Sequence, residues 1–283
     1  MVDTSSVQRI LVIKLRAIGD VLLSTVVLKN LRAAFPSARL DFLTEQPSRS
    51  VVEGNPCVDS VIVFNPHKQH GLSLILEVRK RRYDLVIDLF GNPRSAIVAY
   101  ASGAKCRVGY RLGWRRHCYD VVVEPRGGDV HNTEFNLDAL RAIGVPVIDT
   151  TITFPLDEEA RQFAHEFFEQ KGLTGKFVVA LNPGGGWYTK RWPTHRYAQL
   201  GDEIARSDHA QVIVLWGPGE RSDAEQIHLL MTTKPILAPK TDLKQLGAIL
   251  ERCDLLITND SGPMHIAGAL KTPVLAIFGP TNP

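Results

Sequence analysis

Four loops in this chain carry residue types that could do chemistry. The first, Lys14-Leu15-Arg16-Ala17-Ile18-Gly19-Asp20, follows an apolar run at residues 10–13. Gly19 suits a tight strand-to-helix turn. Asp20 then stands at a helix start, where two roles are open to it. Spacing alone favours a helix cap, because aspartate is a common capping residue. The other role is a carboxylate that removes a proton from an acceptor hydroxyl. The second loop, residues 182–193, holds Gly184-Gly185-Gly186 followed by Lys190-Arg191-Trp192-Pro193. Three glycines let backbone N–H groups approach an anion. The two cations add donors suited to a diphosphate. Pro193 and Thr194 read as the start of the next helix, with Thr194 as its cap.

The third loop is Gly217-Pro218-Gly219-Glu220. Glu220 is either an acceptor for ribose hydroxyls or an ordinary acidic residue at a helix start. The fourth, Asn259-Asp260-Ser261-Gly262-Pro263-Met264-His265, opens a helix whose free N–H groups favour a phosphate. Ser261 and His265 share one helix start and no G-x-S-x-G elbow is present, which argues against a serine triad. The GK[ST] ending of a P-loop and the G-x-G-x-x-G of dinucleotide folds are also missing. No D-x-D or H-E-x-x-H occurs, and His67 and His70 read as surface histidines, so no metal site is expected.

Each loop follows a short apolar run, and the runs alternate with helical patterns. Strands are expected at residues 10–13, 39–43, 60–64, 85–89 and 121–123, with helices at 19–34, 72–82 and 132–143. A second set of strands is expected at 177–181, 212–216, 255–258 and 274–278. The helices between them fall near 195–206, 223–231, 243–252 and 264–270. Phe163, Phe167 and Phe168 fit the inward face of a further helix. Strands apolar on both faces and alternating with helices imply α/β parallel sheets covered on each side. Two such Rossmann-like units, joined near residues 151–157, are expected to face each other across a cleft. Ligands of parallel sheets bind beyond the carboxyl ends of the strands, which is where the four loops lie.

The 283 residues are 44% hydrophobic and 22% charged, which excludes disordered, collagen-like and coiled-coil chains. No window is apolar enough for a membrane span, and the first nine residues lack the core of a secretory signal. Four dispersed cysteines fit reduced thiols in the cytoplasm. The net charge of +3 is uneven, for residues 68–126 carry 12 basic and 5 acidic side chains. That stretch suits a phosphorylated substrate, a membrane surface or nucleic acid. The overall balance is too mild for a nucleic-acid partner.

Together the loops resemble glycosyltransferase family 9, the ADP-heptose:lipopolysaccharide heptosyltransferases. The residues that carry the resemblance are 13–20, Asn182 to Gly186 with Lys190 to Pro193, Asn259 to His265, and Phe278-Gly279-Pro280-Thr281. The match runs over nearly the whole chain. It implies a GT-B fold, with residues 1–154 binding the acceptor and 155–283 binding the nucleotide-sugar donor. It implies inverting, metal-independent transfer of heptose from ADP-heptose to a lipid A-core acceptor, with no cofactor. The enzyme would be cytoplasmic and peripheral at the inner face of the inner membrane.

Carried over by motif, Asp20 becomes the general base and Lys190, with Arg191, the diphosphate cations. Gly185 and Gly186 fall where the family usually has small hydroxyl residues, leaving backbone N–H contacts. Glu220 and Thr241 match nucleoside contacts, and Asp260, Ser261, Gly262 and His265 match the donor phosphate and sugar motif. Lys14, Arg16, Arg94 and Arg111 are the expected acceptor-side cations, and the basic stretch 68–126 is expected to face acidic sugars or phosphates of the acceptor. The chain ends at Pro283, where family members usually continue, so a shortened C-terminal part is expected. Other readings are a nucleotide-sugar-binding module without activity, a transferase of another sugar, and an epimerase or hydrolase of the nucleotide sugar.

Overall fold

The structure, a computed structural model, describes residues 7–126, 130–207 and 209–279. Two units, Met1–Pro155 and Leu156–Pro283, divide the chain. The first unit is built on six strands: β1 (Arg9–Ile13), β2 (Arg39–Glu45), β3 (Ser60–Phe64), β4 (Leu85–Asp88), β5 (Cys106–Tyr110) and β6 (Val121–Val123). They form one parallel sheet in the order β3-β2-β1-β4-β5-β6. In the centre, Ile10 to Ile13 align with Leu40 to Leu43 on one side and Leu85 to Asp88 on the other. These residues are buried on both faces, as continuous apolar runs in a covered parallel sheet require.

Helices α1 (Ile18–Ser24), α2 (Val26–Ala34), α3 (Arg49–Val52), α4 (Gly71–Lys80), α5 (Pro93–Ala101) and α6 (Asn132–Arg141) complete the unit. α6 packs on α1 and α2, while α4 packs on α5, and α5 on a 3₁₀ turn over Gly113–Cys118. The single helix expected over residues 19–34 is two, divided at Thr25. The Ser24 and Thr25 hydroxyls both donate back to carbonyls three residues earlier, at 2.7 Å. Such back-bonding competes with helix continuation. Thr25 Oγ1 also accepts the Thr153 N–H at 3.0 Å, which fixes the break. Three elements were not anticipated from the sequence here: α3, α5 and β5.

The second unit has β7 (Val178–Asn182), β8 (Gln211–Val214), β9 (Ile236–Leu237), β10 (Leu255–Asn259) and β11 (Val274–Ile277). They form a parallel sheet in the order β11-β10-β7-β8-β9. Its helices are α7 (Glu158–Gln170), α8 (Thr194–Ser207), α9 (Arg221–Leu230), α10 (Leu243–Glu251) and α11 (Gly262–Ala269). Phe167 and Phe168 are buried along α7, and Phe163 is half-buried. Thr194 is the first residue of α8 rather than its cap, and its hydroxyl donates to Gln226 Oε1 at 2.7 Å. β9 was not anticipated either, being only two residues long. Pro280 and Thr281, part of the last sequence motif, lie outside the described residues. Among the described residues no helix is long and apolar enough to cross a membrane.

One close contact in the first unit has a measurable consequence. A Cβ on Gly109 would lie 2.4 Å from the Tyr119 ring. That ring cannot slide, because the Tyr119 hydroxyl donates to the buried Asp88 Oδ2 at 2.7 Å. Gly109→Ala is expected to cost about 1–3 kcal/mol through overpacking. Urea unfolding should show a lower midpoint than wild type, whereas Gly71→Ala, with nothing within 4 Å of the added methyl, should not.

Candidate functional site

In the second unit the loops after β7, β8 and β10 meet at the carboxyl edge of the sheet. Asn259, the last residue of β10, is fully buried and holds the glycine loop in place. Its Nδ2 donates to the carbonyls of Pro183 and Gly184 at 2.7 and 3.1 Å. Its Oδ1 accepts the Trp192 N–H and the Tyr197 hydroxyl, both at 3.0 Å. Asn182 donates to Thr258 Oγ1 at 2.9 Å and to Ser261 Oγ at 3.4 Å. A buried amide so completely paired rigidifies its surroundings.

Glu220 is the residue before the first turn of α9, and its carboxylate joins two loops. Oε1 accepts the Gly185 N–H at 2.8 Å and Oε2 accepts the Gly217 N–H at 3.0 Å. Gly185 therefore does not offer its N–H to a ligand here, contrary to the sequence expectation. Arg191 completes the brace. Its Nε donates to the Gly185 carbonyl at 2.8 Å and its Nη1 to Asp223 Oδ2 at 3.0 Å, and Nη2 lies 3.5 Å from Glu220 Oε1. Lys190 stands apart from this brace. Its half-buried ammonium donates to Asp260 Oδ2 at 2.5 Å. Ser261 precedes α11 in extended backbone, Gly262 is its first residue, and His265 lies in its first turn, half-buried. Thr241 follows β9, just before α10. The tip of the glycine loop, from Gly186 to Thr189, is exposed.

In the first unit the carboxyl edge carries Lys14, Arg16, Asp20, Arg94 and Arg111. Asp20 is the third residue of α1, and Ala17 occupies the cap position, so Asp20 is not the N-cap. Asn132 Nδ2, from the start of α6, donates to Asp20 Oδ1 at 2.9 Å. The other oxygen, Oδ2, has a long 3.4 Å contact from the Ala17 N–H. One carboxylate oxygen is thus held by Asn132, and the other by a long backbone contact that closes a capping box at the start of α1. Asn132 was missed in the sequence, since nothing local marks a partner 112 residues away.

The expected acceptor-side cations differ in their freedom. Lys14 is buried, and its ammonium donates to the Leu89 carbonyl at 2.9 Å. Burial holds its pKa below the usual lysine value, opposed by the charges of Asp20 and Asp88. It braces the loop rather than standing open to an anion. Arg94 lies over the Phe64 ring at 5.1 Å and 3.6 Å from Glu45. Arg111 is paired with Glu124 at 2.5 Å, and Arg16 is exposed.

The cationic stretch 68–126 does not gather as one patch at this edge, which corrects the sequence expectation. Arg81 is bound by the buried Asp41 and by Glu77 at 3.0 and 2.9 Å. Arg107 pairs with Asp120 and Arg126 with Asp138. α4 ends at the amino end of β4, whereas Arg94 and Arg111 follow the carboxyl ends of β4 and β5. The stretch is divided between opposite edges of one sheet.

The family model of glycosyltransferase family 9 (heptosyltransferase) matches residues 72–283. The chain belongs to that family. It is 29% identical over 279 residues to lipopolysaccharide heptosyltransferase 3 of Escherichia coli strain K12, covering 93% of this chain and 80% of that protein. The crystal structure of a family 9 glycosyltransferase from Veillonella parvula DSM 2008 superposes with a TM-score of 0.92. It is 29% identical and covers 100% of this chain and 83% of that one. The structure of E. coli ADP-heptose LPS heptosyltransferase II has the same fold, with a TM-score of 0.79 at 24% identity over 98% of this chain and 86% of that one. This family 9 chain is accordingly a glycosyltransferase with the α/β fold of the GT-B class. Among its described residues no three His, Cys, Asp or Glu side chains cluster to hold a metal.

The glycines of its second loop are not equivalent. A Cβ on Gly184 would lie 2.1 Å from Glu220 Oε2, while one on Gly186 meets nothing within 4 Å. Glu220 would have to withdraw from the two N–H groups it accepts, and each such charged hydrogen bond contributes about 1.5–3 kcal/mol. Gly184→Ala should therefore lower the thermal midpoint by several degrees, at about 2–4 °C per kcal/mol. Gly186→Ala should leave it in place, and equal shifts in the two variants would contradict the Glu220 brace.

Proposed function

We propose that this family 9 enzyme is a metal-independent, inverting heptosyltransferase. It would move a heptose from ADP-heptose to the inner core of a lipid A-linked lipopolysaccharide acceptor on the cytoplasmic side of the inner membrane. The observation that carries the reading is the pairing of a family 9 match with a braced glycine loop and a positioned Lys190 at the carboxyl edge of a parallel sheet. The names of the relatives supply the sugar and the acceptor class.

In this reading the donor lies on the second unit. Glu220 and Thr241 sit on the nucleoside side, and Gly186 and the exposed loop tip line the diphosphate. Asp260, Ser261, Gly262 and His265 bracket the donor phosphate and sugar. Residues 1–154 would supply the acceptor side and 155–283 the donor side, with Arg16, Arg94 and Arg111 near acidic groups of the acceptor. The acceptor hydroxyl attacks the anomeric carbon opposite the leaving group as Asp20 takes its proton on Oδ2. The new C–O bond forms, the bond from the anomeric carbon to the diphosphate oxygen breaks, and ADP leaves with the extra negative charge. Lys190 stabilises that charge, aided by the first N–H groups of α11. Arg191 contributes mainly by holding the loop that presents Lys190.

Asp20→Asn keeps the shape of the side chain and removes its basicity. The expected result is a fall in kcat of about 10²–10⁴-fold, the range for loss of a general base, with ADP-heptose binding retained. Proton NMR of the wild-type product should show an inverted anomeric configuration. Full turnover by Asp20→Asn would overturn the role of Asp20. Donor breakdown without acceptor would favour a hydrolase or epimerase, and donor binding without transfer by wild type would favour a binding module.

A further inference from the structure

α6 is anchored by groups other than its first side chain. The Phe135 ring stacks on the buried Tyr110 ring of β5, with 4.1 Å between centroids and 14° between planes. The Tyr110 hydroxyl donates to the Phe135 carbonyl at 2.8 Å. Leu137 and Leu140 are fully buried. On another face Arg126 and Arg141 pair with Asp138, and Arg141 also with Glu134. His131 caps the helix, its Nδ1 accepting the Thr133 N–H at 3.3 Å. Burial, stacking and capping thus place the start of α6 against α1 without the Asn132 side chain.

That leaves the Asn132 side chain for one partner. Among the described residues its single hydrogen bond goes to Asp20 Oδ1, at 2.9 Å, and no other side chain donates to Asp20. Lys14, whose charge interacts with Asp20, is buried and its ammonium is turned to the Leu89 carbonyl. The chemistry of the donor matters. A cation at hydrogen-bond distance would favour the charged carboxylate and oppose its taking a proton. A neutral amide orients the carboxylate with a smaller effect of that kind. An ionised carboxylate only accepts, so the amide presents Nδ2 to it. The second oxygen, Oδ2, keeps only the 3.4 Å contact from the Ala17 N–H, longer than an ordinary N–H···O bond.

We propose that Asn132 is a positioning residue for glycosyl transfer, which holds the half-buried Asp20 carboxylate in the orientation where Oδ2 takes the acceptor's proton. This rests on the reading of Asp20 as the proton-accepting group. Asn132 touches neither substrate nor reacting atom. No bond to it forms or breaks: the proton passes from the acceptor hydroxyl to Asp20 Oδ2, and the amide keeps its hydrogen bond to Oδ1 throughout. A carboxylate held in one rotamer meets the hydroxyl without first having to be ordered, and such orientation lowers a barrier without changing the chemistry.

The experiment is steady-state kinetics of the full chain with ADP-heptose, offering lipopolysaccharides truncated at successive inner-core lengths as acceptors. Asn132→Ala and Asn132→Leu, the second filling much of the same space without an N–H, should each lower kcat about tenfold, the order expected from one hydrogen bond to a charged group. KM for ADP-heptose and the thermal midpoint should stay at their wild-type values, whereas a purely structural role would lower the midpoint. In an Asp20→Asn background the same substitutions should cause no further loss, because residues that act through one another are not additive. Wild-type kcat in Asn132→Ala, with Asp20→Asn impaired, would overturn the proposal and leave the role of Asp20 standing. An undiminished loss in the Asp20→Asn background would also overturn it, since Asn132 would then act outside proton transfer. Full turnover by Asp20→Asn would overturn the reading of Asp20 and this proposal together.

Discussion

The carboxylate of Glu220, accepting N–H groups from the loops after β7 and β8, is the interaction on which the donor-side edge depends. A glycine-rich loop can adopt many conformations, and its ordering carries a large entropic cost. Glu220 removes that freedom at Gly185 and Gly217, and Asn259 does the same from β10 through the carbonyls of Pro183 and Gly184. Gly184 must lack a side chain because the carboxylate occupies the space where a Cβ would lie. The loop is therefore held by the protein's own side chains, and Arg191 locks its far side through Asp223. Beside the brace, and outside it, one ammonium is positioned separately: Lys190, held by Asp260. Preorganised charge of this kind suits a leaving diphosphate, because it requires no rearrangement as negative charge develops.

The first unit applies the same logic to a carboxylate. Asn132 fixes one oxygen of Asp20, and the other has only a long contact from the Ala17 N–H. The buried Asp88 beneath accepts the N–H groups of Phe90 and Gly91 and the Tyr119 hydroxyl. Burial raises its pKa, opposed by these hydrogen bonds. Lys14, tied to the neighbouring Leu89 carbonyl, holds the loop that leads to Asp20. Buried polar groups at the ends of β1 and β4 thus shape an edge whose working residues are half-exposed.

Much of this was readable from the sequence, for definite reasons. Continuous apolar runs such as residues 10–13 and 255–258 mark strands buried on both faces, and the loops that follow them are where ligands of parallel sheets bind. The chain signalled α5 as well, in Asn92-Pro93-Arg94-Ser95, where Asn92 caps the helix by accepting the Ser95 N–H at 2.8 Å. β5 gave no such signal, because Arg107 and Gly109 interrupt its apolar pattern and Gly109 is needed to admit the Tyr119 ring. Pairings between distant residues left no local trace. Asn132 with Asp20, and Asp41 with Arg81, join segments 112 and 40 residues apart. That is also why a count of charges over residues 68–126 misjudged the acceptor edge: it could see neither Asp41 and Asp138 outside the stretch nor the opposite edges on which the cations fall.

The central claim is that the edge built on Glu220 and Asn259 presents Lys190 to a nucleoside diphosphate. Calorimetric titration with ADP, UDP and GDP, on wild type and Lys190→Ala, tests it most directly. The account predicts that wild type binds ADP in preference to UDP and GDP, and that Lys190→Ala weakens ADP binding about tenfold or more, as loss of a charged hydrogen bond entails. Undiminished ADP binding by Lys190→Ala would contradict the role assigned to this edge, and a preference for UDP or GDP would contradict the ADP-heptose donor.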